Sequence, residues 1–146
     1  MAETIKARVL LVDDEKDFIE TLSNRLQIRG LTVSTSTCGQ DALKLIEKEK
    51  FDVVVLDLTM PGMDGLETLK KLKETAPDTE IIMLSGHGTI QASTEAIKLG
   101  AEDFLEKPLD LPKLLEKISE AKDKRILISQ EKATEAIKEI LKNRAW

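Results

Sequence analysis

Three aspartates stand where apolar runs of this chain stop. Val53-Val54-Val55-Leu56 ends in Asp57, and Val9-Leu10-Leu11-Val12 ends in Asp13 and Asp14. If both runs are buried strands, three carboxylates emerge together at the lip of one sheet. At an effective dielectric near 20, two unit charges about 4 Å apart cost roughly 4 kcal/mol. The trio therefore requires shared protons or a divalent cation. All-oxygen ligands select a hard ion, and magnesium fits best, because it takes one or two carboxylates and completes its shell with water and phosphate oxygens. The chemistry this implies is phosphoryl transfer. Ser85 and Lys107 stand at the ends of two later apolar runs and complete a set of strand-end polar groups.

These side chains need a frame that brings strand ends together. Apolar runs at 8–12, 51–56 and 80–84, with weaker ones at 31–36 and 103–106, alternate with segments of helical period. The first helix carries Phe18, Ile19, Leu22 and Leu26 on one face and stops near Gly30. The second groups Ala42, Leu45 and Ile46; the third groups Leu66, Leu69 and Leu72 and ends before Pro77. A fourth, at 89–99, has a thin stripe of Ile90, Ala96 and Ile97 that predicts weak anchoring, and it closes at Gly100. A fifth follows the cap candidate Asp110, with Pro112 in its first turn and Leu114, Leu115 and Ile118 facing inward. Five strands alternating with five helices predict an α/β, doubly wound (βα)5 fold with a parallel sheet covered on both faces. Ligands of such folds bind beyond the carboxyl ends of the strands, at the topological switch point. Asp13, Asp14, Asp57, Ser85 and Lys107 all fall at such ends.

Composition narrows the function. A chain of 146 residues, 41% hydrophobic, suits one domain with a short extension. The net charge of −5 and the lack of a helix with a concentrated basic face argue against direct nucleic-acid binding. Cys38 is the single cysteine, which excludes an internal disulfide and reads as a small core or loop residue. No apolar run approaches the roughly 20 residues of a membrane span, and Met1–Lys6 lacks the apolar stretch of a secretion signal. A soluble cytoplasmic protein is the expectation. Residues 121–146 are charged and free of Pro and Gly, with Ile126, Ala133, Ile137, Ile140 and Leu141 at loosely three-to-four spacing. Two readings stand: a solvated helical tail, or a continuation of the fifth helix that pairs with a second copy or another segment.

Four motifs in order are specific when taken together. They are Val12-Asp13-Asp14, Leu56-Asp57 with Met60-Pro61-Gly62-Met63-Asp64-Gly65, Ser85-Gly86, and Lys107-Pro108. The chain resembles the receiver domain of two-component response regulators over roughly residues 7–122, with 1–6 as an N-terminal tail and 123–146 as a helical extension. Ser85-Gly86-His87-Gly88 and Ala101-Glu102-Asp103-Phe104-Leu105-Glu106-Lys107-Pro108 bring it nearest to receivers of the nitrogen-regulation (NtrC) type. The resemblance implies a CheY-like, flavodoxin-like sheet of order 2-1-3-4-5. It implies that Asp57 accepts a phosphoryl group from a sensor histidine kinase or phosphotransfer protein. Mg2+, with Mn2+ as a possible substitute, would be shared by Asp13, Asp14, Asp57 and the Thr59 carbonyl. Lys107 would pair with Asp57 and then with a phosphoryl oxygen, Ser85 would donate its hydroxyl to another, and Phe104 would turn inward in response. Pro108 would follow a cis bond, and Thr59 and His87 would tune the lifetime of the acyl phosphate. Gly62 and Gly65 read as turn and helix-entry residues, and Asp64 as a cap.

The same resemblance implies a switch rather than an enzyme. Its output would be the surface of the fourth helix, fifth strand and fifth helix, with partner binding or a homodimer through that face and the extension. Two other readings remain. A phosphatase of the haloacid-dehalogenase type also uses a strand-end aspartate, a later Ser or Thr and a later Lys, but Thr59 stands where its second acid belongs. A non-phosphorylated binding module is the other, although the full set of five site residues argues against it. Phe104 as a static core residue and His87 as a surface residue are the plainer alternatives to their roles in signalling.

Overall fold

The computed structural model describes residues 6–58, 64–86 and 90–144. Strands β1 (Arg8–Val12), β2 (Thr32–Ser36), β3 (Val53–Asp57), β4 (Glu80–Ser85) and β5 (Asp103–Glu106) alternate with helices α1 (Lys16–Ile28), α2 (Gly39–Lys48), α3 (Gly65–Thr75), α4 (Ile90–Lys98) and α5 (Leu111–Arg144). The five strands form one parallel sheet in the order β2-β1-β3-β4-β5. Right-handed crossovers put helices on both faces, and the order reverses beside β1 and β3, so the crevice opens where those strands end.

Alternation along each strand divides the core. One layer holds Val9, Leu11, Val53, Val55, Ile82 and Leu84 against α1 and α5. The opposite layer holds Leu10, Val12, Val54, Leu56, Ile81 and Met83 against α2, α3 and α4. Every residue of β3 and β4 is buried, which is why their sequences read as continuous apolar runs.

Helix anchoring is uneven. Leu114 and Ile118 of α5 are fully buried, each contributing about 1.5–3 kcal/mol, whereas Ala96 alone is buried on α4, a methyl group worth about 0.8 kcal/mol. Ile90 and Ile97, expected on the anchoring stripe, are 85% and 49% exposed. The pattern marks α4 as apolar, but its contact with the sheet is narrower than the stripe, and two isoleucines turn to solvent.

Local chemistry sets the helix ends. Asp64 caps α3, its carboxylate accepting from the Glu67 N–H at 2.7 Å, and Asp110 does the same for Lys113 at 3.2 Å. Gly30 and Gly100 follow α1 and α4 with φ of 94° and 107°, conformations that L side chains avoid. Gly65 is required by crowding: its N–H donates to the Leu58 carbonyl at 2.9 Å, and a Cβ would lie 2.4 Å from that oxygen. Helix α5 runs unbroken through 34 residues and carries the extension as its continuation. Ile126, Leu127, Ile137, Ile140 and Leu141 are 38–62% exposed along it. Among the described residues, no helix is long and apolar enough to cross a membrane.

Candidate functional site

Backbone pairing brings the acidic groups together before any side chain is considered. Val12 lies opposite Leu56 in the β1–β3 register, so Asp13 and Asp57 emerge side by side. The Leu58 N–H donates to the Leu84 carbonyl at 2.8 Å, and the Lys107 N–H donates to the Ser85 carbonyl at 2.8 Å. The ends of β3, β4 and β5 are thereby tied edge to edge. Asp13 and Asp57 are 3% and 4% exposed, and Asp14 is open to solvent.

One oxygen from each of Asp13, Asp14 and Asp57 lies within 4.8 Å of the others. Ligands of an octahedral magnesium at about 2.1 Å stand roughly 3–4 Å apart, so small side-chain rotations suffice for a shared ion. Hard oxygen donors, two of them buried and mutually repelling, suit a divalent cation at this acidic pocket.

Lys107 approaches from the opposite side, after β5, and its bond to Pro108 is cis. Its ammonium lies 2.7 Å from Asp13 Oδ2, 3.4 Å from Glu15 Oε1 and 4.0 Å from Asp57 Oδ1. Nζ also sits over the Phe18 ring, 4.3 Å from its centroid. Asp13 is thus its nearest partner, with Asp57 at the outer limit of an ion pair. The reason is additive: Asp13, Glu15 and the Phe18 π-face attract the ammonium from the same side. Burial pulls the Lys107 pKa down, but the hydrogen bond and charge of Asp13, with the charges of Asp57 and Glu15, outweigh it and hold the group above its usual value.

Asp13 is engaged at both oxygens, because Oδ1 accepts from the Glu15 N–H at 2.9 Å. Ser85 is buried at the end of β4, one residue beyond the partner of Asp57. Phe104 is half-buried, packing on the core layer that includes Met83 and Ala96 while lining a 510 Å³ cleft with Ile90, Ser93, Pro108 and Lys113. A 310 Å³ groove lies beside Lys107, between α1 and the segment leading into α5, lined by Phe18, Leu22, Arg25, Pro108 and Leu109. Thr59 and His87 lie outside the described residues, as do Met60–Met63.

Two residues near the ammonium were not singled out by the sequence. Glu15 follows the Asp-Asp pair directly, and that adjacency was its only signal. Phe18 fits the apolar face of α1, which it partly does, so its second role under Lys107 had no separate mark.

The family model of the response regulator receiver domain matches residues 9–119. The C4-dicarboxylate transport transcriptional regulatory protein DctD of Rhizobium meliloti (strain 1021) is 35% identical over 125 residues, 86% of this chain and 27% of DctD. Transcriptional regulatory protein GlrR of Escherichia coli (strain K12) is 34% identical over 90% of this chain and 30% of its own length. The chain thus spans about a third or less of these two relatives. A CheY-like receiver domain protein from Methanospirillum hungatei JF-1 superposes with a TM-score of 0.79 at 30% identity, covering 83% of this chain and 97% of that one. The beryllofluoride-activated NtrC4 receiver domain dimer gives 0.77 at 38% identity, covering 81% and 98%. With this match, the sheet order 2-1-3-4-5 and the acidic pocket at the strand ends, the chain belongs to the response regulator receiver domains of two-component signalling.

Proposed function

We propose that Asp57 is the phosphoacceptor of a cytoplasmic signalling switch. The observation that carries this reading is the convergence of one ammonium and three carboxylates at the ends of β1, β3 and β5. A carboxylate oxygen of Asp57 attacks the phosphorus of a phosphohistidine on a sensor kinase or phosphotransfer protein. The P–O bond forms as the P–N bond breaks, and the imidazole leaves. Asp13, Asp14 and Asp57, with the Thr59 carbonyl, would hold Mg2+ or Mn2+, which neutralises phosphoryl oxygen charge. Lys107 supplies a second positive charge to those oxygens, its ammonium being held already by Asp13, Glu15 and the Phe18 ring. The apolar groove between α1 and Pro108 offers the donor protein a surface beside that lysine.

Phosphorylation replaces a single negative charge by roughly two, with three strong acceptors. The Ser85 hydroxyl moves to one of these oxygens and Lys107 to another. Phe104 then turns toward the space Ser85 leaves, and α4, β5 and α5 present a changed surface for a partner or a second copy. The shallow attachment of α4 through Ala96 makes it the element that yields. Such a shift is only as large as the differential binding free energy of the two states. The receiver spans 7–122 in this reading, and 123–146 extends the dimer surface. Thr59 and His87 govern attack by water and hence a slow self-dephosphorylation.

Incubation with a small phosphodonor and Mg2+ tests the reading by intact mass. Gain of one phosphoryl group in the wild type and none in Asp57→Asn is expected. Sustained hydrolysis of a phosphomonoester would favour the phosphatase chemistry, and no modification at all would favour a pure binding module.

A further inference from the structure

Two of the contacts that hold the Lys107 ammonium come from the start of α1. Asp13 Oδ1 accepts from the Glu15 N–H at 2.9 Å, Asp13 Oδ2 accepts from Lys107 at 2.7 Å, and the ammonium lies 3.4 Å from Glu15 Oε1, so the three residues close a ring of contacts. Glu15 is the N-cap residue of α1, yet its carboxylate makes no capping bond and turns to the lysine instead. Phe18, in the first turn of the same helix, presents its ring face to Nζ at 4.3 Å from the centroid. The ring is fixed in its turn, because Phe18 packs against the core layer that includes Leu11, Leu22 and Leu84.

These contacts leave Nζ 4.0 Å from Asp57 Oδ1, well beyond the roughly 2.7–2.9 Å of a charge-assisted N–H···O bond. An ammonium bonded directly to the attacking oxygen would occupy one of its lone pairs and stabilise its charge before the donor arrives. Only interactions that strengthen in the transition state accelerate a step. A phosphoryl group joined to Oδ1 carries its other oxygens one tetrahedral edge away, which brings one of them within reach of Nζ by a small movement of the lysine. The charge–charge contact then forms together with the new P–O bond.

We propose that Glu15 and Phe18 are positioning residues that hold Lys107 off Asp57 and so reserve its ammonium for the incoming phosphoryl oxygens. The inference rests on the reading of Asp57 as phosphoacceptor, and it assigns the two residues to the lysine rather than to the donor. Phe18 carries the larger part. The Glu15 side chain is 66% exposed, so water and salt screen its pair with Lys107, whereas the ring is held by packing and acts on a lysine side chain that is 14% exposed.

Phosphorylation by acetyl phosphate with Mg2+, followed by intact mass, tests the role of the ring. Phe18→Leu keeps an apolar side chain on the core and removes the π-face; it should slow labelling several-fold, and Phe18→Tyr, which keeps the face, should label at the wild-type rate. Wild-type labelling in Phe18→Leu, or equal slowing in both variants, would overturn the proposal. An unlabelled wild type would instead remove the phosphoacceptor reading beneath it. The second readout needs neither donor nor metal. The Lys107 ε-protons adjoin the ammonium over the Phe18 ring and should resonate upfield of an ordinary lysine, and in Glu15→Gln they should move downfield as the ammonium leaves the ring. Unchanged ε-proton shifts in that variant would overturn the joint assignment.

Discussion

Replacing Lys107 with methionine should make the acidic pocket bind divalent cations more tightly. Asp13 meets Lys107 at Oδ2 and the Glu15 N–H at Oδ1, so a metal ion must compete with the ammonium for the same carboxylate. The lysine and Asp13 side chains are 14% and 4% exposed, little enough that water screens the contact weakly. A charge-assisted hydrogen bond of this kind is worth about 1.5–3 kcal/mol net. Removing it takes the ammonium from 2.7 Å of Asp13 and 4.0 Å of Asp57, and the repulsion among the three acids then adds to the driving force for an incoming ion. The expected gain in Mg2+ affinity is roughly ten- to a hundredfold, by the rule of about 1.4 kcal/mol per decade. Methionine keeps an unbranched apolar side chain of similar length, so the change removes the ammonium and its contact with the Phe18 ring while disturbing packing little. Isothermal titration of wild type and Lys107→Met with Mg2+ reads the effect directly. Equal or weaker affinity in the variant would refute the view that lysine and metal contest Asp13.

Other outcomes follow from the same geometry. Asp14→Ala should weaken Mg2+ binding by on the order of 1.5 kcal/mol or more, the loss of one charged contact, and by more than Ser85→Ala; the opposite order in a titration contradicts the ligand assignment. Gly65→Ala should destabilise the domain by about 3 kcal/mol or more, because its Cβ would meet backbone atoms of Leu58 and Asp57 at 2.4–2.7 Å; urea unfolding at wild-type midpoint would contradict this. Glu80 has a folded-state pKa raised chiefly by burial. Its contribution is complete below the ordinary glutamate range and is lost as pH rises through the raised value. Glu80→Gln should therefore gain stability relative to wild type at pH 7–8, with the difference shrinking toward pH 4 in parallel urea melts.

The sequence made the sheet legible because burial on two faces leaves only apolar residues from Val53 to Leu56 of β3 and from Ile81 to Leu84 of β4. It also indicated which polar groups would cluster, since Asp13, Asp57, Ser85 and Lys107 all fall at or just past the carboxyl ends of strands. Side-chain choice within the cluster was hidden. Nothing in the chain order says that Lys107 lies nearer Asp13 than Asp57, because that balance depends on Glu15 and the Phe18 ring arriving from α1. Helix α4 was legible in part: the thin stripe of Ile90, Ala96 and Ile97 announced its weak anchoring, but hydropathy records no neighbour and did not say that of the three only Ala96 is buried. Glu80 had no signature either, as an acid at the start of a strand ordinarily faces solvent.

The uninterrupted course of α5 turns angular change into distance. From Ala121 to Arg144 the helix extends about 35 Å at 1.5 Å per residue, so a tilt of about 10° at its packed half displaces its far end by roughly 6 Å. Small rearrangements among Leu114, Ile118 and the sheet are thus amplified mechanically, the way a pointer magnifies the turning of its spindle.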